Sequence, residues 1–239
     1  MEGEGLKETI SVAGRKCDIF YNESEPITTL LLQPLGEHEL PGIEREYEQI
    51  LAGVKTGFML AAFRVDDWNG ALSPWQAPAV FREQEFTGQG QATLQDVLEK
   101  ILPGVLARYH LPEEIPVILG GYSLAGLFAL WAAYQTDRFQ GIAAASPSVW
   151  FPGWLEYIKE RRIQTQKVYL SLGKKEEKAG NRQMAAVGDN LRQMYERYQK
   201  EETPGQVFLE WNEGNHFREP EIRTAKGFLW NIHTGEVHA

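Results

Sequence analysis

Apolar and polar residues alternate along the chain in patterns that predict strands and helices in turn. Residues 7–12 alternate polar with apolar positions, Ala13-Gly14 makes a turn, and residues 16–21 continue as a second strand. This pair predicts an antiparallel hairpin at the N-terminus. The later strand candidates are more continuously apolar, as expected of buried strands. They are residues 27–33, 58–65, 115–119, 140–145, 167–172 and 206–211.

Helical spacing fills most of the segments between these strands. It is found in residues 43–54, 124–135, 183–199 and 220–230. A further helix is expected to open at the capping-box-like Thr93-Leu94-Gln95-Asp96, and Pro103 should kink or break it.

The alternation predicts the α/β class, with a mostly parallel eight-stranded sheet covered by helices on both faces. No repeat or linker divides the chain, so we expect a single domain over residues 1–239. In such sheets, functional residues gather at the carboxyl ends of the strands.

Ser123 stands where a buried strand becomes a helix. Gly121 precedes it by two positions and Ala125 follows it by two, so small side chains flank a tight turn. This is the arrangement of a nucleophile elbow, which presents one hydroxyl above the sheet. The amide of Leu124, at the start of the helix, could stabilise an oxyanion formed at Ser123. Such a short match also fits an ordinary structural serine in a Gly-rich turn.

A nucleophilic serine needs a base and a group that orients the base. His216 lies in a Gly-bearing loop after the last strand, and His38 in the loop after the third strand is the second candidate. Glu176 follows the penultimate strand, with Glu177 as the alternative acid. The order Ser123, Glu176, His216 is the order of an α/β-hydrolase triad.

The second oxyanion donor is expected from residues 33–38, the loop predicted after the third strand. Pro34 has no N–H and is excluded. We expect the amide of Leu35 to serve, with Gly36 as the next choice.

Four tryptophans fall in two loops at the expected rim of the site. They are Trp68, Trp75, Trp150 and Trp154. Tryptophan more often packs in a core than binds a ligand. Four in two rim loops nevertheless favour an aromatic acyl or aryl pocket. Candidate substrate contacts are Trp68, Trp150, Tyr122 and His38. Only residues 146–166 separate the sixth strand from the seventh, so a large cap is not expected.

Composition narrows the function classes. Apolar content of 43% excludes disorder, and no apolar run is long enough to span a bilayer. The acidic start Met1-Glu2-Gly3-Glu4-Gly5 has no signal-peptide pattern, and a lone Cys17 suits a reducing compartment, so we expect a cytoplasmic protein. The net charge of −9 argues against nucleic acid and anionic membranes as partners.

Metal and nucleotide cofactors are not expected from the sequence. The chain has no His-x-x-x-His pair and no cysteine cluster with ligand spacing. It also lacks a Gly-x-x-x-x-Gly-Lys phosphate loop, and Gly88-Gln89-Gly90 does not follow a predicted strand.

Four motifs together resemble the putative-esterase family of α/β-hydrolases. They are Leu-Gly-Gly-Tyr-Ser-Leu-Ala-Gly at 119–126, Ala-Ala-Ser-Pro-Ser-Val-Trp at 144–150, Tyr-Leu-Ser-Leu-Gly-Lys-Lys-Glu at 169–176 and Gly-Asn-His at 214–216. This group includes enterochelin (siderophore) esterases, S-formylglutathione hydrolase/esterase D and feruloyl esterases. The resemblance runs from about Pro26 to the end of the chain.

The resemblance implies an α/β-hydrolase fold and a serine-esterase reaction, with triad roles for Ser123, Glu176 and His216. Two departures from the family pattern stand out. Gln-Pro-Leu-Gly at 33–36 replaces the usual His-Gly or Gly-Gly oxyanion signature, and Ala125 replaces a glycine.

The expected function is therefore hydrolysis of a small-molecule carboxylic ester through an acyl-enzyme, with siderophore-like and other small esters as the candidate substrates. The unusual oxyanion loop motivates one alternative, a non-catalytic binding protein with the same fold. The other alternative is an acyltransferase, in which an alcohol replaces water.

Overall fold

The structure, a computed structural model, describes residues 6–22, 25–80 and 85–233. Eight of its strands form one sheet, and two more form a small separate ribbon. The sheet strands are β1 (Leu6–Val12), β2 (Arg15–Tyr21), β3 (Ile27–Leu35), β4 (Gly57–Arg64), β7 (Val117–Tyr122), β8 (Gly141–Ala145), β9 (Lys167–Gly173) and β10 (Gln206–Asn212). The ribbon strands are β5 (Gln76–Ala77) and β6 (Phe86–Thr87).

The order of strands in the sheet is β1-β2-β4-β3-β7-β8-β9-β10. The pairs β1–β2 and β2–β4 are antiparallel, and all pairs from β4 to β10 are parallel. This confirms the mostly parallel eight-stranded sheet and its N-terminal hairpin. After β3 the chain builds β4 on one side and then returns to place β7 on the other. A crevice therefore opens at the carboxyl ends of β3 and β7.

Helices cover both faces of the sheet. They are α1 (Ile43–Gly53), α2 (Trp68–Leu72), α3 (Gly90–Asp96), α4 (Leu102–Arg108), α5 (Leu124–Ala132), α6 (Trp154–Lys159), α7 (Arg182–Ala185), α8 (Val187–Tyr198) and α9 (Pro220–His233). None of the helices in the described part of the chain is long and apolar enough to cross a membrane. Between β8 and β9 the chain contains one short helix, α6, and no cap domain.

Successive residues of the central strands serve two separate cores. Leu30 and Leu32 of β3 join the larger core, under α5, whereas Leu31 joins the smaller one, with α1 and α9. Because side chains alternate across a sheet, a strand buried on both faces must be apolar at consecutive positions. The continuous apolar run of Gly57–Arg64, in which only Arg64 is not fully buried, follows from this.

Several predicted boundaries were wrong, two of them in segments that contain proline. Strand β3 does not end before Pro34 but continues to Leu35, paired with β4. Its pairing with β7 ends at Leu32. In a strand, the N–H groups of neighbouring residues face opposite sides. The missing N–H of Pro34 falls on the β7 side, where pairing has already stopped, so Pro34 does not interrupt the pairing with β4.

Pro103 neither breaks nor ends the helical segment. The segment starts at Gly90, earlier than expected, and passes through one π-helical stretch (Val97–Ile101) before α4. The amide of Leu102 donates to the carbonyl of Val97, a five-residue span. This wider turn accommodates Pro103, which has no N–H to donate and whose ring crowds the preceding turn.

Candidate active site

Ser123 lies in a strained turn between β7 and α5, with φ 56° and ψ −116°. Few residues other than glycine adopt a positive φ, so the surrounding fold must hold this conformation. A hydrogen bond from the Ser123 amide to the Ala145 carbonyl, 3.0 Å, ties the turn to the end of β8. A Cβ on Gly121 would lie 2.5 Å from the Cβ of Ala125, which explains the glycine at that position. The expected elbow geometry is present.

His216 lies beside Ser123 although 93 residues separate them. Its Nε2 is 3.0 Å from the Oγ of Ser123, and its Nδ1 is 2.7 Å from Oε2 of Glu176. The Tyr122 hydroxyl donates to the carbonyl of His216, 2.7 Å, and fixes the loop that carries the imidazole. The three side chains expected to meet at the rim of the sheet are therefore in hydrogen-bond contact.

Glu176 is buried at the end of β9 in a 3₁₀ turn (Glu176–Lys178). Its Oε1 accepts from the Gly173 amide, 2.7 Å, and from the Ser146 hydroxyl, 2.7 Å. Burial acts to raise the pKa of Glu176, but the hydrogen bond and charge of His216, with these two donors, hold it below its ordinary value. The carboxylate is therefore ionised where it faces the imidazole. Glu177, the alternative acid, instead pairs with Arg192 at 2.8 Å.

Arg223, on α9, is a buried residue of the site that no pattern in the sequence indicated. Its Nη1 lies 2.9 Å from Oε1 of Glu176 and 3.1 Å from the hydroxyls of Tyr122 and Ser146. Its Nη2 donates to the carbonyls of Glu213 and Asn215, in the loop before His216. One guanidinium thus joins the acid to the histidine loop.

Ser146 and Ser148 are two further residues to which the sequence assigned no role. They belong to the motif at 144–150, so the resemblance marked the segment without indicating what it does. Ser148 Oγ lies 3.3 Å from Ser123 Oγ, and the Ser148 amide donates to the Ser123 carbonyl, 3.0 Å. Both serines are buried, and they connect the elbow and Glu176 to the end of β8.

The structure does not direct the amide of Leu35 toward Ser123. The Leu35 carbonyl accepts from the Val65 amide, 3.0 Å, and in an extended strand the N–H and C=O of one residue face the same side. The Leu35 N–H therefore faces β4, away from β7. The expectation erred because it treated Leu35 as a loop residue. The N–H of Gly36 faces the opposite side, away from β4, and it donates to Oε2 of Glu39, 3.1 Å. Leu124 begins α5, where helix amides have no intrahelical partner.

Ser123 and His216 open into a cavity of about 820 Å³. Trp68, Trp150, Tyr122 and His38, the four expected contact residues, all line it. His38 packs edge-on against Trp68, 4.8 Å between ring centroids, rather than against Ser123.

The other two rim tryptophans serve packing instead. Trp75 donates to the Pro152 carbonyl, 2.9 Å, and Trp154 is buried with its Nε1 on the sulfur of Met194. The four tryptophans thus divide equally between the cavity wall and the packing around it.

This architecture is the α/β-hydrolase fold. Solved structures with this architecture include an IroE-like serine hydrolase from Shewanella oneidensis, with a TM-score of 0.75 and 14% identity over 95% of this chain and 79% of that one. The siderophore hydrolase EstA from Aspergillus nidulans has a TM-score of 0.72 and 15% identity over 100% and 96%. The enterobactin esterase FES from Shigella flexneri has a TM-score of 0.67 and 15% identity over 98% of this chain and 60% of that one. At such identities, the likeness concerns the fold.

Residues 63–217 match the family described as Putative esterase. No curated protein sequence matches the chain at a significant level. Because the family match covers well over half of the chain, the protein belongs to the Putative esterase family and is an esterase.

Proposed function

We propose that this esterase hydrolyses a carboxylic ester of a small molecule, with Ser123 as nucleophile, His216 as general base and acid, and Glu176 as the group that orients His216. One observation carries the proposal: two hydrogen bonds, 3.0 and 2.7 Å long, run from Ser123 through both ring nitrogens of His216 to Glu176. A carboxylate on Nδ1 favours the tautomer whose Nε2 is free to accept the serine proton.

In the first half of the reaction, the Ser123 oxygen attacks the ester carbonyl while His216 Nε2 takes its proton. The tetrahedral intermediate collapses as the alcohol leaves, and His216 returns the proton to that alcohol. An ester between Ser123 and the acyl group remains. Glu176 stabilises the imidazolium that forms along the way.

In the second half, His216 activates a water molecule that attacks the acyl-enzyme. The acid is released and Ser123 recovers its proton. Ser123 lines the cavity and is only partly buried, so water can reach it.

The developing oxyanion is best served by the amide of Leu124, which needs no rearrangement. Gly36 is the second donor that the geometry supports, in place of Leu35, once Glu39 releases its amide. Losing one such donor typically costs about 10²–10³ in kcat. In the resting site, the bond to Glu39 keeps the Gly36 amide occupied.

A fluorophosphonate probe tests the nucleophile, with p-nitrophenyl acetate and butyrate as substrates. We expect covalent labelling at Ser123 and turnover that the Ser123→Ala variant loses. Ser148→Ala is the matched control, since Ser148 is the neighbouring hydroxyl and should not be the labelled site. Labelling elsewhere, or full activity in Ser123→Ala, would refute the assigned mechanism, and an unlabelled protein would return it to the non-catalytic alternative.

An acyltransferase would use the same acyl-enzyme with an alcohol as acceptor. Product analysis in the presence of added alcohols separates the two reactions. Hydrolysis predicts that the free acid remains the main product.

A further inference from the structure

One wall of the cavity is acidic although the triad does not use it. Gln33 from β3, Glu39 from the 3₁₀ turn Glu37–Glu39 and Glu46 from α1 line the same cavity as Ser123. Gln33 is 3% exposed and Glu46 is 5% exposed. Acidic and amide side chains are rarely buried to this extent unless they are paired.

Two oxygens on this wall have no hydrogen-bond donor. Among the described residues, Oε1 of Gln33 and Oε1 of Glu46 are buried atoms without a partner. Buried acceptors are nearly always satisfied, so two of them on one cavity wall point to a ligand that supplies N–H or O–H donors. Glu39 adds a second carboxyl group to the same cavity wall.

No cation of the protein neutralises this wall. Among the described residues that line the cavity, Arg45 pairs with Glu221 at 2.7 Å, and His216 is engaged by Glu176. Partial burial lowers the pKa of His38, so His38 is neutral at pH 7. Apart from the proton that Glu46 itself retains, a donor to these oxygens must therefore come from the ligand.

The two carboxyl groups are poised to respond to a cation. Burial raises the pKa of Glu46 well above its ordinary value, and the charges of Glu39 and Glu221 raise it further, against a hydrogen bond from Gln33. Burial also raises the pKa of Glu39 to about 7, against the hydrogen bond from Gly36. A positive charge beside these groups would stabilise their ionised forms and release protons.

We propose that Gln33, Glu39 and Glu46 form a subsite for a primary ammonium group carried by the ester substrate. An ammonium has three N–H donors, one for each of these side chains, and a quaternary ammonium has none. A metal ion is a poorer occupant, because the described residues contain no group of three or more His, Cys, Asp or Glu arranged to hold one. The proposal rests on the proposed function, since it names the substrate of that same site.

The subsite also acts on the oxyanion donor. A charged ammonium is a stronger hydrogen-bond donor to Glu39 than the neutral Gly36 amide. When the ammonium binds Glu39, the Gly36 amide is released and can turn to the substrate oxygen. Recognition of the correct ester would then complete the site in which it reacts.

Paired esters test the preference. They are p-nitrophenyl 6-aminohexanoate against p-nitrophenyl heptanoate, and 5-aminopentyl acetate against hexyl acetate. We expect the ammonium member of at least one pair to have the higher kcat/KM, roughly tenfold or more. Glu46→Gln should abolish this ratio. Glu48→Gln, the same change on an exposed residue of the same helix, should preserve it.

Direct binding tests the subsite without catalysis. Titration calorimetry of n-pentylammonium chloride into Ser123→Ala, in phosphate and in HEPES at pH 7, measures both affinity and proton release. We expect proton release on binding, and affinity about tenfold weaker when Glu46→Gln is added. Circular dichroism and thermal unfolding of each variant check the fold.

The outcomes separate the two proposals. Turnover of both esters with no ammonium preference, or pentylammonium binding that is absent or unchanged by Glu46→Gln, would overturn the subsite and leave ester hydrolysis standing. Pentylammonium binding that depends on Glu46, with no turnover of any ester, would overturn the proposed function and leave the subsite.

Discussion

The guanidinium of Arg223 lies 2.9 Å from Oε1 of Glu176, the carboxylate oxygen that His216 does not use. Glu176 therefore binds a fixed cation through one oxygen and the imidazole through the other. Both residues are buried, at 2% and 6% exposure, so this ion pair is little screened by solvent. Arg223 acts through Glu176 and the loop of His216, which makes it a positioning residue.

Replacing Arg223 should impair both the fold and the reaction. Arg223→Ala removes the fixed cation beside the buried Glu176, and breaking a buried pair typically costs about 3–5 kcal/mol of unfolding free energy. We expect kcat to fall more than KM rises, and Arg223→Lys to restore part of kcat because it keeps a charge. Urea unfolding and steady-state kinetics measure these effects. The control is Arg218→Ala, which changes an exposed arginine two residues after His216. Equal losses of kcat in both variants would contradict the positioning role of Arg223.

Replacing the adjacent residues Glu176 and Glu177 should have very different effects on kcat. Glu176→Gln removes the charge that orients His216 and should lower kcat by about 10²–10⁴-fold. Glu177→Gln removes only an ion pair with Arg192 at the surface and should leave kcat within about twofold, since exposed pairs are weak. Steady-state kinetics on p-nitrophenyl butyrate decides; similar kcat values for the two variants would show that Glu176 is not the triad acid.

Stability should fall with rising pH because of Glu46. Its pKa is raised in the folded protein, so above the ordinary carboxyl pKa the unfolded chain has lost a proton that the folded chain keeps. The unfolding free energy then decreases by up to about 1.4 kcal/mol per pH unit until the folded-state pKa is reached. Glu46→Gln removes this contribution and should be the more stable protein at pH 8.

Urea unfolding from pH 5 to 8 tests this. Glu39 keeps a smaller slope of the same sign in Glu46→Gln, because burial raises its pKa to about 7 as well. Glu48→Gln should have the same slope as the unchanged protein. Parallel pH profiles for all three proteins would mean that Glu46 titrates normally.

Replacing Trp150 should affect mainly substrate binding, whereas replacing Trp154 should affect mainly stability. Trp150→Ala removes part of the cavity wall and should raise KM for aryl esters roughly tenfold, with a smaller loss of stability than Trp154→Ala because Trp150 is only partly buried. Trp154→Ala empties a buried site and should cost about 3–5 kcal/mol of unfolding free energy. Kinetics on an aryl ester series, with thermal unfolding of both variants, checks this; a KM effect only in Trp154→Ala would reverse the assignment.

The sequence alone determined the order of the eight sheet strands and of the longer helices, because periodicity in hydrophobicity depends on which face of each element is buried. It did not indicate the short helices α2 and α6 or the β5–β6 ribbon. It also indicated Ser123, Glu176 and His216, since the small residues around Ser123 and the loops after the last two strands are local features. It left Glu176 and Glu177 close competitors, because both occupy the same loop and only burial distinguishes them.

Only the tertiary structure decided which groups complete the site. Arg223 looks in sequence like any polar position of an amphipathic helix, and it reaches Glu176 because α9 packs across β7, β8 and β9. Leu35 was misjudged because a strand's last residue is set by pairing with its neighbours rather than by its own side chain. Gln33, Glu39 and Glu46 come from three separate elements, and no local pattern records that these residues line one cavity.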